Sequence, residues 1–242
     1  MKLKIIGSSS EGNGYIIFDN NEALILECGL PLMEVKKALD FNIERVKGLF
    51  VTHRHLDHCK YLKDYIKYFN CYSNDEVFES NKLENHYNSN VVEANKVYEV
   101  GSFRVVPFDL FHDVKTFGFL INHSTIGNTL FVTDTSELPY KFDNLTNCII
   151  ECNFEESILD QNYYEGKIKK FLYDRIKDSH LSLEKLKEFL LRTDLSKVNN
   201  IILCHLSDKN SNAKIFIEEI QRATGKIITV ADKNVEIELN NF

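Results

Sequence analysis

Proline is scarce, with three residues in 242, and no tract rich in Pro, Gly or Ser interrupts the chain. Without a linker to separate folding units, the sequence predicts a single domain over residues 1–242, large enough to bury a sizeable core. No apolar run approaches the length that crosses a bilayer, which argues against a membrane protein. The opening Met1-Lys2-Leu3-Lys4-Ile5-Ile6 has too short an apolar part for an export signal and reads as a strand. Cys-x-x-Cys pairs are also missing, which argues against a thiolate zinc knuckle. Cys28, Cys59, Cys71, Cys148, Cys152 and Cys204 mostly adjoin apolar runs, as buried thiols do in a reducing cell, and predict a cytoplasmic protein. A net charge of −7 means that the surface as a whole does not favour a polyanion, although a local basic patch or bound cations can override the total.

What is present is an alternation of short apolar runs with amphipathic stretches. Strands are predicted at 2–6, 15–18, 23–26, 48–51, 103–107, 117–121, 129–133, 148–151, 201–204, 227–230 and 235–239. Helical spacing aligns Leu32, Val35 and Leu39, then Leu62, Ile66 and Phe69, then Leu183, Leu186 and Leu190, then Phe216, Ile220 and Ala223. Pro31 suits a first helical position and Gly225 a helix stop. Strand-rich halves with helices in each predict an α/β protein built of two facing mixed sheets with helices outside.

The chemistry concentrates in Thr52-His53-Arg54-His55-Leu56-Asp57-His58, directly after the apolar run Leu49-Phe50-Val51. Neutral imidazoles and a carboxylate are the donors that suit zinc, manganese or iron. His53 and His55 are two apart, so extended backbone puts both on one side. A turn is then needed to bring Asp57 and His58 round to a second ion. The alternative is a solvated loop that happens to be rich in histidine. His86 and His123 lie in polar stretches and read as surface residues.

This segment resembles the Thr-His-x-His-x-Asp-His signature of the metallo-β-lactamase fold superfamily. The resemblance implies a four-layer αββα sandwich with metals at one edge of the sheets. It also implies further ligands: His112 after a long strand, Asp134 after Leu130-Phe131-Val132-Thr133, and His205 after Ile201-Ile202-Leu203-Cys204. His53, His55 and His112 would then hold one ion and Asp57, His58 and His205 the other, with Asp134 between them. The expected cofactors are two divalent metal ions, zinc first and manganese as the alternative. His55 stands where the di-iron redox branch carries Glu, which favours hydrolysis.

Other segments resemble the YycJ/WalJ-like branch. They are Gly7-Ser8-Ser9-Ser10-Glu11-Gly12-Asn13, Leu26-Glu27-Cys28-Gly29-Leu30, Ile150-Glu151-Cys152-Asn153, Ser179-His180-Leu181-Ser182 and His205-Leu206-Ser207-Asp208-Lys209-Asn210. Glu27 replaces the usual Asp and Ser179 the usual Gly. The resemblance to this branch and to tRNA-processing ribonucleases implies that His180 protonates the leaving group, Glu151 orients His180, and Asp57 orients the attacking water as well as binding metal. Read without it, His180 is a residue near the cap Ser182, and Glu151 a solvated strand-end carboxylate. The run Lys167, Lys169, Lys170, Arg175, Lys177 either attracts phosphate or is the wet face of a helix.

The expected reaction is hydrolysis of a nucleotide phosphodiester. The related phage anti-Pycsar phosphodiesterases, which open cyclic mononucleotides to evade host immunity, provide one model, and a phage-encoded enzyme would act in the host cytoplasm. The YycJ/WalJ-like 5′→3′ DNA exonucleases provide the other. Negative net charge, the lack of an appended strand-binding domain, and Tyr163 and Tyr164 as stacking surfaces favour a small cyclic nucleotide over polymeric DNA. A homodimer is compatible with the sequence. Thioester or lactone hydrolysis and a non-catalytic metal-binding scaffold are the remaining alternatives.

Overall fold

Alternate residues of a strand face opposite ways, and here both faces are covered. In the computed structural model, which describes residues 1–240, Leu24, Leu26 and Phe50 point into a central core, while Ala23, Ile25 and Leu49 point into an outer one. Ile149 and Ile202 reach the same central core from the second sheet, while Cys148, Ile150, Ile201 and Leu203 pack outward.

The first sheet contains β1 (Lys2–Ser9), β2 (Gly12–Phe18), β3 (Ala23–Leu26), β4 (Val46–Phe50), β5 (Cys71–Ser73) and β6 (Ser89–Val91). The second contains β7 (Tyr98–Val100), β8 (Phe103–Leu110), β9 (Thr116–His123), β10 (Gly127–Val132), β11 (Leu145–Glu151), β12 (Asn200–Cys204) and β13 (Ile228–Val230). The last strand, β14 (Glu236–Glu238), returns to pair with β1, so the sheet orders are β14-β1-β2-β3-β4-β5-β6 and β13-β12-β11-β10-β9-β8-β7.

Helices α1 (Leu32–Ala38), α2 (Leu56–Cys59), α3 (Leu62–Tyr65) and α4 (Asp75–Asn81) belong to the first half. Leu32, Val35, Leu62, Tyr65, Val77 and Phe78 cover the first sheet. Helices α5 (Glu156–Tyr164), α6 (Lys170–Ser179), α7 (Leu183–Arg192) and α8 (Ala213–Thr224) belong to the second half, and Leu186, Phe189, Leu190, Phe216 and Ile220 cover its sheet. The layers are therefore α, β, β, α, as expected. No helix among the described residues is long and apolar enough to cross a membrane.

The predicted strands are all present, with shifts of a few residues at their ends. Pro31 sits just before α1 rather than at its first position, with φ −57° and ψ 137°. Gly225 does stop α8, at φ 68°. Strands β5, β6 and β7 escaped detection because Cys-Tyr-Ser, Ser-Asn-Val and Tyr-Glu-Val do not belong to a longer apolar or alternating run, as the equally short β13 and β14 do.

What positions the site is strand direction. β3 and β4 are parallel, and so are β10, β11 and β12. β8 shares their direction because β9 is antiparallel to both β8 and β10. The carboxyl ends of these strands meet at one edge of the sandwich, where open α/β sheets commonly present functional groups.

Candidate metal centre

β4 ends at Phe50, the chain runs on through His53, and it bends at Arg54 and His55, the latter with extended φ/ψ, before α2 begins. His53 and His55 thus share a side, with His53 Nε2 3.1 Å from His55 Nδ1. The single turn of α2 swings Asp57 and His58 to the other side, with His58 Nε2 3.2 Å from Asp57 Oδ2. Gly29 permits this turn. A Cβ on it would lie 1.7 Å from the Asp57 carbonyl oxygen, and the adjoining Cys28 N–H donates to the His58 carbonyl at 2.8 Å.

The remaining residues arrive from other strand ends. His112 follows β8, with Nε2 3.3 Å from His55 Nδ1. Asp134 follows β10, and its Oδ2 lies 3.2 Å from His53 Nε2 and 2.9 Å from His58 Nε2, so one oxygen faces both halves of the cluster. His205 follows β12, with Nε2 3.4 Å from Asp57 Oδ2. The donor atoms form two groups around the loop histidines, His53/His55/His112/Asp134 and Asp57/His58/Asp134/His205, and a third beside them, Asp134/Glu151/His180/His205.

The first two groups suit divalent ions on three grounds. Bonds of the length zinc makes to nitrogen and oxygen leave neighbouring ligand atoms about 3.0 to 3.5 Å apart, and the separations above cover that range. His58 Nδ1 and Asp134 Oδ1 are buried without a hydrogen-bond partner; Glu27 Oε1 is 3.3 Å from the first and His205 Nδ1 2.9 Å from the second, but neither pair has hydrogen-bond geometry. The donors are imidazole and carboxylate, while neighbouring thiols turn away: Cys204 Sγ faces the Val132 carbonyl and Cys59 Sγ the Arg54 carbonyl.

Electrostatics agree. Burial holds the His53 imidazole well below its usual value, so it stays a neutral ligand. Burial opposes charge on His58 and His205 as well, yet Asp134 and the other carboxylates outweigh it and push both well above the ordinary histidine range. Asp134 itself, despite burial, is held well below the carboxylate range by His205 and His58. A field that draws protons onto buried imidazoles also favours a divalent cation, which competes with those protons.

Supporting contacts fix the rings. His53 Nδ1 donates to Thr52 Oγ1 at 2.9 Å, and Thr52 Oγ1 donates to the fully buried Glu27 Oε1 at 2.6 Å. His112 Nδ1 donates to the Ser179 carbonyl at 2.8 Å. Each outer bond leaves the inner nitrogen with a lone pair for a metal. Asn13, also buried, donates from Nδ2 to the Ser9 and Asp57 carbonyls at 3.1 and 3.4 Å, with Asp57 Oδ2 at 3.5 Å. Ser8 Oγ accepts from the His205 N–H at 2.8 Å. Glu27, Asp134 and His205 adopt φ of 67°, 27° and 54°. Left-handed backbone costs such residues about 1–3 kcal/mol each and clusters at functional sites. In the sequence Glu27 stands out only as a substitution and Asn13 only as the end of a resembling segment; Thr52 adjoining the histidines is the one visible signal.

His180 and Glu151 meet beside this cluster. His180 Nδ1 donates to Glu151 Oε1 at 2.7 Å, and Glu151 Oε2 accepts from the Leu181 and Thr135 N–H groups at 2.9 and 3.1 Å. Glu151 is fully buried, not a solvated strand end. Burial raises its carboxyl, but the charge and hydrogen bond of His180 outweigh this and leave it below the usual range. His180 is correspondingly lifted above the ordinary histidine value, because Glu151 overcomes the effect of burial.

Two expectations require correction. His123 is buried, not a surface residue: its Nε2 donates to Glu22 Oε1 at 2.9 Å at the far edge of the sandwich. Only its flanking residues are polar, and strand alternation turns the ring inward. Tyr163 is not an open stacking surface, since it packs against Tyr173 at 4.7 Å between centroids within a small apolar cluster of α5 and α6; Tyr164 is exposed. His86 is half-buried and stacks on Tyr87.

The model of the metallo-beta-lactamase superfamily matches residues 10–73, the stretch that carries Asn13, Glu27 and the histidine loop. The exodeoxyribonuclease WalJ of Streptococcus pneumoniae is 23% identical over 232 residues, covering 87% of this chain and 83% of the relative. The metallo-beta-lactamase fold protein YhfI from Bacillus subtilis superposes with a TM-score of 0.72 at 15% identity, covering 98% of each chain. Zn²⁺-bound PqqB from Methylobacterium extorquens superposes with a TM-score of 0.74 at 12% identity, covering 99% of this chain and 100% of the other. With its sandwich of two sheets and its edge cluster of imidazoles and carboxylates, the chain has the metallo-β-lactamase fold, is similar to that superfamily over residues 10–73, and is a metal-dependent hydrolase.

Proposed function

We propose that this hydrolase cleaves nucleotide phosphodiester bonds in the reducing cytoplasm. His53, His55 and His112 would hold one divalent ion, Asp57, His58 and His205 the other, and Asp134 both. Two such ions supply Lewis-acid charge that lowers the pKa of water and neutralises phosphoryl oxygens. Glu151 holds His180 by Nδ1, which leaves Nε2 to give a proton to the departing oxygen. Asp57 keeps 21% of its side chain exposed and can orient the attacking water from the open side.

The observation that carries this reading is the 2.7 Å contact between His180 and Glu151 beside the ligand set. A sugar alkoxide is a poor leaving group and needs a proton as it departs. A thiolate does not, so the dyad favours phosphodiester over thioester cleavage.

Between the two nucleotide substrates, similarity to WalJ supports ends of linear DNA. The cyclic mononucleotide reading rests on the net charge of −7, since the packing of Tyr163 weakens its aromatic argument. The two differ in salt response: a strand held through several phosphates loses affinity steeply as salt rises, whereas a single phosphate does so shallowly. Turnover of cyclic mononucleotides, linear duplex DNA and a thioester, each at low and moderate salt, tests the proposal. Salt-sensitive digestion of DNA is expected. Cyclic-nucleotide turnover with little salt effect would select the second reading, and turnover of the thioester alone would overturn both.

A further inference from the structure

In the reaction just proposed the leaving group departs toward His180, so its binding site lies on the His180 side of the ligand set. A cavity of about 340 Å³ opens there, bordered by His180 and His205, by apolar Ile168, Leu172 and Ile176, and by Lys167 and Lys209. A neighbouring cavity of about 370 Å³ is lined by Asn162, Lys167, Ile168 and Lys209. The same two lysines and Ile168 border both, so they stand at the junction of a path leading away from His180.

We propose that this path is a leaving-side subsite for the adjoining nucleotide of a linear strand, with its next phosphate held between Lys167 and Lys209. The aliphatic wall of α6 and the residues before it suits a sugar and base, and two ammonium groups suit an anion. Asp208 borders the inner cavity but not the outer one, which disfavours an anion near His180 and favours one at the junction.

Three other members of the basic run are engaged locally: Lys170 pairs with Asp174 at 2.7 Å, Arg175 with Asp113 at 3.6 Å, and Lys177 reaches the Tyr173 hydroxyl at 3.3 Å, while Lys169 does not border either cavity. Lys167 pairs with Glu165 at 2.6 Å, but both side chains are well exposed, and such a pair contributes little and yields readily to a phosphate. A cyclic mononucleotide would not use this subsite, because its leaving oxygen stays on the same sugar and carries no second phosphate.

The test compares, by calorimetry on the metal-loaded protein, ligands that mimic the leaving-side nucleotide with its scissile phosphate still attached: the thymidine 3′- and 5′-monophosphates, each with one phosphate, and thymidine 3′,5′-bisphosphate. The bisphosphate is expected to bind about tenfold tighter than either monophosphate, the size of one charge-assisted contact. In the Lys167→Ala/Lys209→Ala double variant this advantage should fall to less than about twofold. A wild-type protein with no preference for the bisphosphate, or a preference that survives the double substitution, would overturn the subsite. Strand cleavage assayed in parallel separates the two claims. A lysine-dependent preference without cleavage of any phosphodiester upholds the subsite and removes the proposed reaction, whereas cleavage without the preference does the reverse.

Discussion

Two histidine–carboxylate groups lie between the sheets, at opposite edges of the sandwich, and they are built differently. At one edge Glu22 takes the His123 Nε2–H on Oε1 and the Ser102 N–H on Oε2, while His123 Nδ1 accepts from the Thr125 N–H. Every buried polar atom of that pair has a partner. At the other edge, ring nitrogens converge on one another at 3.1 and 3.3 Å, and His58 Nδ1 and Asp134 Oδ1 go without hydrogen bonds. A satisfied pair pins two sheets together. A convergent, unsatisfied set is costly unless a cation joins it, and the three residues there with positive φ show that local stability has been sacrificed to it.

The largest contrast is expected from Asp134→Ala. Its Oδ2 faces both ligand groups, so both metals should be weakened or lost and activity with them. Metal analysis of the purified variant checks this, and two ions retained per chain would remove Asp134 as the shared ligand.

His180→Ala should act on chemistry alone. Metal content should be unchanged while cleavage of an alkyl phosphodiester falls roughly 10²–10⁴-fold, as for loss of a general acid. With nitrophenolate as leaving group the loss should be much smaller. Equal losses on the two substrates would mean that His180 positions the substrate instead.

Gly29→Ala probes how the metal edge is held. The added Cβ would meet the Asp57 carbonyl, forcing the α2 turn outward and costing about 1–3 kcal/mol of stability. Chelator competition should show weaker metal binding, and unaltered affinity would show that the turn adapts without moving its ligands.

Glu22→Gln tests the other edge and should leave metal content as it is. An amide cannot accept from both His123 and the Ser102 N–H, so a loss of about 1–3 kcal/mol is expected near neutral pH. Burial raises the Glu22 carboxyl, but Ser102 and His123 outweigh it and hold the group below its ordinary value. The folded pKa therefore lies below the unfolded one. The stabilisation is present above the unfolded carboxyl range and is lost as pH falls through the folded value. Urea unfolding of both proteins at neutral and acid pH should show their difference narrowing in acid; a constant gap would exclude the Glu22 charge as its source.

Legibility followed the physics of each signal. The loop from His53 to His58 is local, so strand extension and one turn specify most of its geometry in advance. Asp134, His112 and His205 could be placed only by resemblance, because a single residue after a strand carries no periodic signal. His123 was misread because the polar letters around it describe its neighbours, whereas strand alternation decides where its own ring points. Tyr163 was misread for a related reason: an aromatic is equally suited to a nucleobase and to another aromatic, and only the packing of α5 on α6 selects Tyr173.

The sequence by itself determined the αββα layering and the donor-rich loop, since alternating apolar runs bury both faces of each sheet and a chain of this composition has few other ways to cover them. The tertiary structure decided which carboxylate serves which imidazole. Glu27, Glu151, Asn13 and Ser8 lie 25, 29, 44 and 197 residues from Thr52, His180, Asp57 and His205, the residues they support. Contacts over such separations depend on where strand ends meet at the edge of the sandwich, which no local pattern in the chain encodes.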